Sequence, residues 1–116
     1  MPGLSIHVVD VARGVVASGM RVEVFTLVPS RARIADARVA ASGAVDDPAL
    51  DRRLERGPYE VLLHVAAFYA RAGFALPEMP FLDVASFRFG IDDPGQHYHL
   101  PFKLTPWGLS CFRGGA

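Results

Sequence analysis

Four histidines and one cysteine are the side chains of this 116-residue chain that titrate closest to neutral pH. His97 and His99 stand two apart in the stretch GQHYHLPFKL. Neutral imidazole can take a proton from water and imidazolium can return it to a leaving group, so such a pair suits acid/base catalysis. On a strand, residues i and i+2 project to the same side, which puts both rings on one face. The same geometry with a distant third histidine could hold a metal. No carboxylate or cysteine joins them at a recognised ligand spacing, however, and no metal site is expected. His64, among Leu62, Leu63 and Val65, reads as structural. Cys111 reads as a small, half-buried residue with no activating neighbour in sequence. The chain lacks a glycine-rich phosphate loop, a G-x-S-x-G elbow and a CxxC pair.

The elements that must position these residues follow a period of two. LSIHVVD (4–10) sets Leu4, Ile6 and Val8 against Ser5, His7 and Val9, which turns His7 outward. MRVEVFTLV (20–28) alternates in the same way, and VARGVVASG before it reads as a turn. ARIADARVAAS (32–42) predicts a third strand, paired with the second. A Gly-Pro breaker precedes a strand from Tyr59 to about Val65, and AAFYARAG predicts a helix of about two turns stopped by Gly73. MPFLDVASFRFGI (79–91) predicts a strand with Phe81, Phe87 and Phe89 of one parity. DDPG marks a tight turn, HYHLPFKL the next strand and LSCFRG a last short one. In HYHLPFKL, Tyr98, Leu100, Phe102 and Leu104 take the core side, leaving His97, His99 and Pro101 outside. The charged run DDPALDRRLERG (46–57) reads as an exposed loop or helical turn. About seven or eight short strands and one short helix predict an all-β sandwich, in one domain spanning 1–116.

Lys plus Arg balances Asp plus Glu, 12 against 12, so nothing electrostatic favours nucleic acid or a membrane surface as partner. No stretch approaches the roughly 20 apolar residues of a membrane span. The start lacks the basic and apolar segments of a signal peptide. A single cysteine excludes an intrachain disulfide and suits a reducing compartment, so a cytoplasmic protein is expected.

HYHLPFKLTPWGLSCFRGG resembles the C-terminal signature of the 5-hydroxyisourate hydrolases, transthyretin-like enzymes of purine degradation. LSIHVVDVARGVVASGMRVEVF resembles their N-terminal signature, and GPYEVLLHVAAFYARAG and PEMPFLDVASFRFGIDDPGQHYH resemble the blocks between. The resemblance implies a transthyretin-like β-sandwich of two four-stranded sheets with one short helix. It implies a homotetramer whose sites lie at the dimer–dimer interface, a small-molecule substrate, and no metal or organic cofactor. It implies hydrolysis of a cyclic amide C–N bond, with His7, His99 and Arg113 as catalytic residues.

The family's D-G-R turn aligns with ASGAVDD, so Ala44 stands where an arginine is usual. Its Y-R-G-S tail reads Phe112, Arg113, Gly114, Gly115 here, without the tyrosine and serine hydroxyls. Ala44, Phe112, Gly114 and Gly115 are accordingly the expected substrate-binding positions, in a pocket more apolar and roomier than usual. Three readings follow: a hydrolase of 5-hydroxyisourate, a diverged enzyme for another small cyclic substrate, and a non-catalytic small-ligand binder. Arg38, Arg52 or Arg53 are candidates to replace the missing cation.

Overall fold

Alternating side chains build two sheets, and their apolar faces close on each other. The computed structural model describes residues 2–115. The first sheet has the order β2 (Val15–Val16), β1 (Gly3–Asp10), β7 (His97–Thr105), β8 (Gly108–Cys111). The second has the order β4 (Ala32–Arg38), β3 (Arg21–Thr26), β5 (Gly57–His64), β6 (Val84–Ile91). A single helix, α1 (Val65–Arg71), follows β5 directly. Leu4, Ile6, Val8, Leu100, Phe102 and Leu104 from one sheet meet Val22, Val24, Val61 and Leu63 from the other, all essentially fully buried. Each contributes on the order of 1.5–3 kcal/mol relative to an exposed side chain.

All neighbouring strands are antiparallel except β1 and β7, which run parallel with Ser5 beside His99 and His7 beside Pro101. Parallel neighbours need a long crossover, and here the whole second sheet serves as one. This pairing joins the two ends of the chain at the centre of the first sheet.

Helix α1 is anchored to that sheet by polar contacts. The Tyr69 hydroxyl donates to Asp10 Oδ1 at 2.6 Å and lies 3.1 Å from the Leu104 carbonyl oxygen. Asp10 is wholly buried and also accepts from Arg13 Nε at 2.6 Å. On the outer face of the second sheet, Glu23 and Glu60 are covered by their own partners. Glu23 binds Arg33 and the His64 ring, and Glu60 binds Arg31 and Ser86. His64 thus has the structural role its sequence position suggests.

Several segments differ from the sequence expectation. The strand expected over 79–91 begins only at Val84, leaving Phe81 76% exposed. Pro77 and Pro80 have no N–H to offer a ladder, and the chain before Val84 runs as bends. The link read as a turn between the first two long strands contains the two-residue strand β2. The charged run at 46–57 forms a short 3-10 turn over Pro48–Leu50, and it buries Leu50 and Leu54 beneath its charges.

Candidate active site

The outward face of β1 and β7 gathers Ser5, His7, His97 and His99. All four lie on the odd-numbered side, opposite the buried even-numbered one. The Ser5 hydroxyl sits between two rings, 2.7 Å from His97 Nε2 and 2.6 Å from His99 Nδ1. A hydroxyl has a single proton to give, so one of these contacts must be donated by a histidine. In one arrangement His97 donates to Ser5 and Ser5 donates to His99 Nδ1. In the other, His99 Nδ1–H donates to Ser5 and Ser5 donates to His97, which leaves His99 Nε2 with a free lone pair. Moving protons along the relay therefore converts the outer nitrogen of His99 between donor and acceptor.

His7 is held differently. Its Nε2 lies 3.1 Å from the Ser42 carbonyl oxygen, which can only accept, so Nε2 carries the proton and neutral His7 keeps its lone pair on Nδ1. The turn supplying that carbonyl is built to fit the ring. Gly43 has φ +91°, and a Cβ there would run into the His7 imidazole. The next residues return along the open edge of β1, with Val8 N–H donating to Gly43 O at 2.9 Å and Val45 N–H to Ile6 O at 3.0 Å. This sets Ala44 directly opposite His7, and opposed residues of an antiparallel bridge share a face. A longer side chain at 44 would project over the histidines.

The C-terminal tail closes the other side. Gly114 exchanges backbone hydrogen bonds with His99 at 2.8 and 2.9 Å. Gly115, with φ +75°, packs so near that a Cβ would come within 2.9 Å of His97 Cδ2. Register carried from the Phe102–Cys111 pair to the His99–Gly114 bridge sets Phe112 opposite Pro101, on the histidine side, where it is 59% exposed. The same register turns Arg113 the other way. Its guanidinium lies 4.0 Å from the centroid of the buried Tyr98 ring and donates to Gln96 Oε1 at 2.9 Å. Arg113 is therefore not brought together with His7 and His99 within one chain.

The candidate replacement cations are elsewhere. Arg38 donates to the Gly19 carbonyl, while Arg52 and Arg53 line a hollow beside Tyr59. Cys111 is half-buried, and that burial pushes its thiol up to about 11, so it is no nucleophile near neutrality. Ser5 is the residue that sequence reasoning left out of the site, and His97, read there as the outward partner of His99, was not among the residues the resemblance made catalytic. Ser5 shares the parity of His7, and His97 that of His99, which was the available signal. None of the ion pairs among the described residues involves His7, His97 or His99.

Comparison with known proteins fits this arrangement. Residues 4–114 match the model of the HIUase/Transthyretin family. The 5-hydroxyisourate hydrolase of Deinococcus radiodurans is 40% identical over 116 residues, covering 97% of this chain and 96% of that protein. Among solved structures, (S)-allantoin synthase superposes with a TM-score of 0.88 at 32% identity. The match covers 97% of this chain, which spans only 43% of that longer one. Klebsiella pneumoniae 5-hydroxyisourate hydrolase superposes with a TM-score of 0.77 at 29% identity, covering 98% of this chain and 99% of that one. The chain belongs to the HIUase/Transthyretin family.

Proposed function

We propose that this protein is a cyclic-amide hydrolase of the 5-hydroxyisourate type, with His7 and His99 as its acid/base pair. The observation that carries the reading is the Ser5-bridged pair His97 and His99 beside His7 on one open face. One ring accepts a proton from water as its oxygen bonds to the amide carbon. The C–N bond then breaks, and the departing nitrogen takes a proton from the other ring. The relay through Ser5 supports this assignment, because it lets His99 present a lone pair or a proton without moving. The catalytic set so proposed is His7 and His99, with Ser5 and His97 positioning His99 and the Ser42 carbonyl positioning His7. Arg113 is assigned to fixing the tail against Gln96 and Tyr98, so that Gly114 and Gly115 border the histidines.

The test is direct. Urate is oxidised in situ, the protein is added, and the ultraviolet decay of the intermediate is followed. Acceleration over the spontaneous decay is expected; none at any protein concentration would remove the reading. Replacing Ser5 by Ala should lower kcat by roughly tenfold, less than loss of a catalytic ring, because it unlinks His97 from His99 without removing either. A changed pH–rate profile in that variant would separate a relay role from a packing role.

A second reading is favoured by Ala44 and Phe112, which place a methyl group and an exposed ring where a cation and a hydroxyl would serve a polar, acidic heterocycle. In it, the same histidines open a less polar cyclic substrate. Ala44→Arg discriminates: a charge-assisted hydrogen bond is worth about 1.5–3 kcal/mol, so kcat/KM for 5-hydroxyisourate should rise about tenfold or more under the first reading. Steady-state kinetics of the variant shows which holds.

We also infer a homotetramer, in which a second copy of the histidine face closes the cleft. The exposed Val11, Val15, Trp107 and Phe112, all on or beside the first sheet, support burial against a partner. No described helix is long and apolar enough to cross a membrane. With one free cysteine, we place the enzyme in the cytoplasm.

A further inference from the structure

Away from the histidine face, an open surface hollow of about 520 Å³ lies where the link after β1, the end of β4 and the end of α1 converge, and its three arginines are exposed. That volume falls within the range of small-molecule sites. Its wall carries three guanidinium groups, Arg13, Arg38 and Arg71, together with Ser18, the backbone of Gly19 and the Phe68 ring. Only Arg13 has a carboxylate partner, Asp10, which is buried and also held by Tyr69. Arg38 and Arg71 take part in none of the ion pairs among the described residues.

The placement of these two is informative. Arg38 donates through one terminal nitrogen and Arg71 through another to the same acceptor, the Gly19 carbonyl oxygen, each at 3.0 Å. The two nitrogens can be no further apart than those two bonds allow. Two cations held so close repel each other, and a single carbonyl dipole offsets little of that. An anion between them would. The remaining nitrogens of both groups have no protein partner among the described residues, so planar, paired donors are left to face it. Arg13 is steadied by its contact with the Phe68 ring, 5.6 Å from the centroid, and adds a third charge. Gly19 leaves the approach open, since nothing lies within 4 Å of where a Cβ would stand.

We propose that this hollow binds a phosphate group carried on a small organic molecule, with Arg38 and Arg71 clamping its oxygens and Arg13 adding charge. A dianion matches the two unpaired cations. The hollow's volume leaves room beyond the phosphate for the rest of a monoester. The site shares no residue with the histidine face, so it stands apart from the hydrolytic reading.

Titration calorimetry on the purified protein, in chloride buffer at constant ionic strength, tests the proposal with inorganic phosphate and with ribose 5-phosphate as probes. Saturable binding of the ester, at least tenfold tighter than inorganic phosphate, is the expected result. Equal binding of both would overturn the organic ligand and leave a phosphate ion site. Acetate at the same ionic strength should give no saturable heat. Arg38→Gln and Arg71→Gln should each weaken binding of the ester at least tenfold, and Arg38→Lys should lose less than Arg38→Gln. Thermal unfolding without phosphate reports whether each variant is folded. The proposal is overturned if the wild type binds neither probe, or if folded Gln variants bind as tightly as the wild type.

Discussion

Replacing His99 by Ala is expected to lower kcat for 5-hydroxyisourate hydrolysis by roughly 10²- to 10⁴-fold, the usual contribution of a positioned acid/base group. The thermal midpoint should hardly move. The backbone bonds between residue 99 and Gly114 do not involve the side chain, and the ring lies on the outer face, not in the core. His7→Ala should fall by a similar factor. The double variant should lose far less than the product of the two, because groups that act as a unit are non-additive. Stopped-flow decay of the enzymatically generated intermediate measures all three. If His99→Ala turns over at the wild-type rate, the acid/base assignment fails, whatever the substrate proves to be.

The second large effect is on stability. Asp10→Ala should destabilise the fold by about 1–3 kcal/mol, the range for taking a hydrogen-bond partner away from buried polar groups, since Arg13 is exposed and is left to water. Asp10 is wholly buried, and its loss removes one of the two acceptors of the Tyr69 hydroxyl that ties α1 to the first sheet, leaving the Leu104 carbonyl as the other. Burial alone pushes this carboxyl up, but hydrogen bonds from Tyr69 and Arg13, with the charge of Arg13, hold it below its ordinary value of 3.8. Burial and the nearby Asp10 carboxylate push the Tyr69 hydroxyl up, so it stays a proton donor. A carboxyl whose folded pKa is depressed stabilises the fold fully above its unfolded value, and that contribution disappears as pH falls through the folded value. Glu23 and Glu60, held below their ordinary 4.5 mainly by the His64 and Ser86 hydrogen bonds respectively, have the same sign. The thermal midpoint should therefore change little through these groups above about pH 5 and fall steeply below pH 4. Asp10→Asn should start lower and fall less steeply. Denaturant titrations and thermal scans between pH 7 and pH 2.5 check both parts; an acid slope unchanged in Asp10→Asn would show that Asp10 does not carry it.

Much of the candidate site was legible from residue order. Face assignment is a local property: period two alone turns His97 and His99 out and Leu100 and Phe102 in, and the burial of β7 follows that pattern. The same rule set His7 against Leu4, Ile6 and Val8. The helix after His64 was readable from its alanines and from Gly73, which ends it. The strand expected to begin at Met79 was not, because its aromatic alternation hid Pro80, which with Pro77 just before it keeps Phe81 out of the ladder. Motif similarity over nearly the whole length points to the family by itself, since the two terminal signatures are specific in residue type and order.

What the chain's order alone determined is which side of its strand each functional residue occupies. Which residues meet was decided only by the tertiary structure. Ser5 and His99 are 94 positions apart, and nothing local states that β1 and β7 lie parallel with those two in register. That pairing makes Ser5 the bridge between two histidines. The return of Ser42 to Ala44 along the edge of β1 likewise fixes the proton on His7 Nε2 and aims position 44 over the site. Arg113 shows the limit most clearly. Its neighbours in sequence border the histidines, yet the register of the tail turns its side chain to Tyr98, because alternate residues of an extended chain face opposite sides.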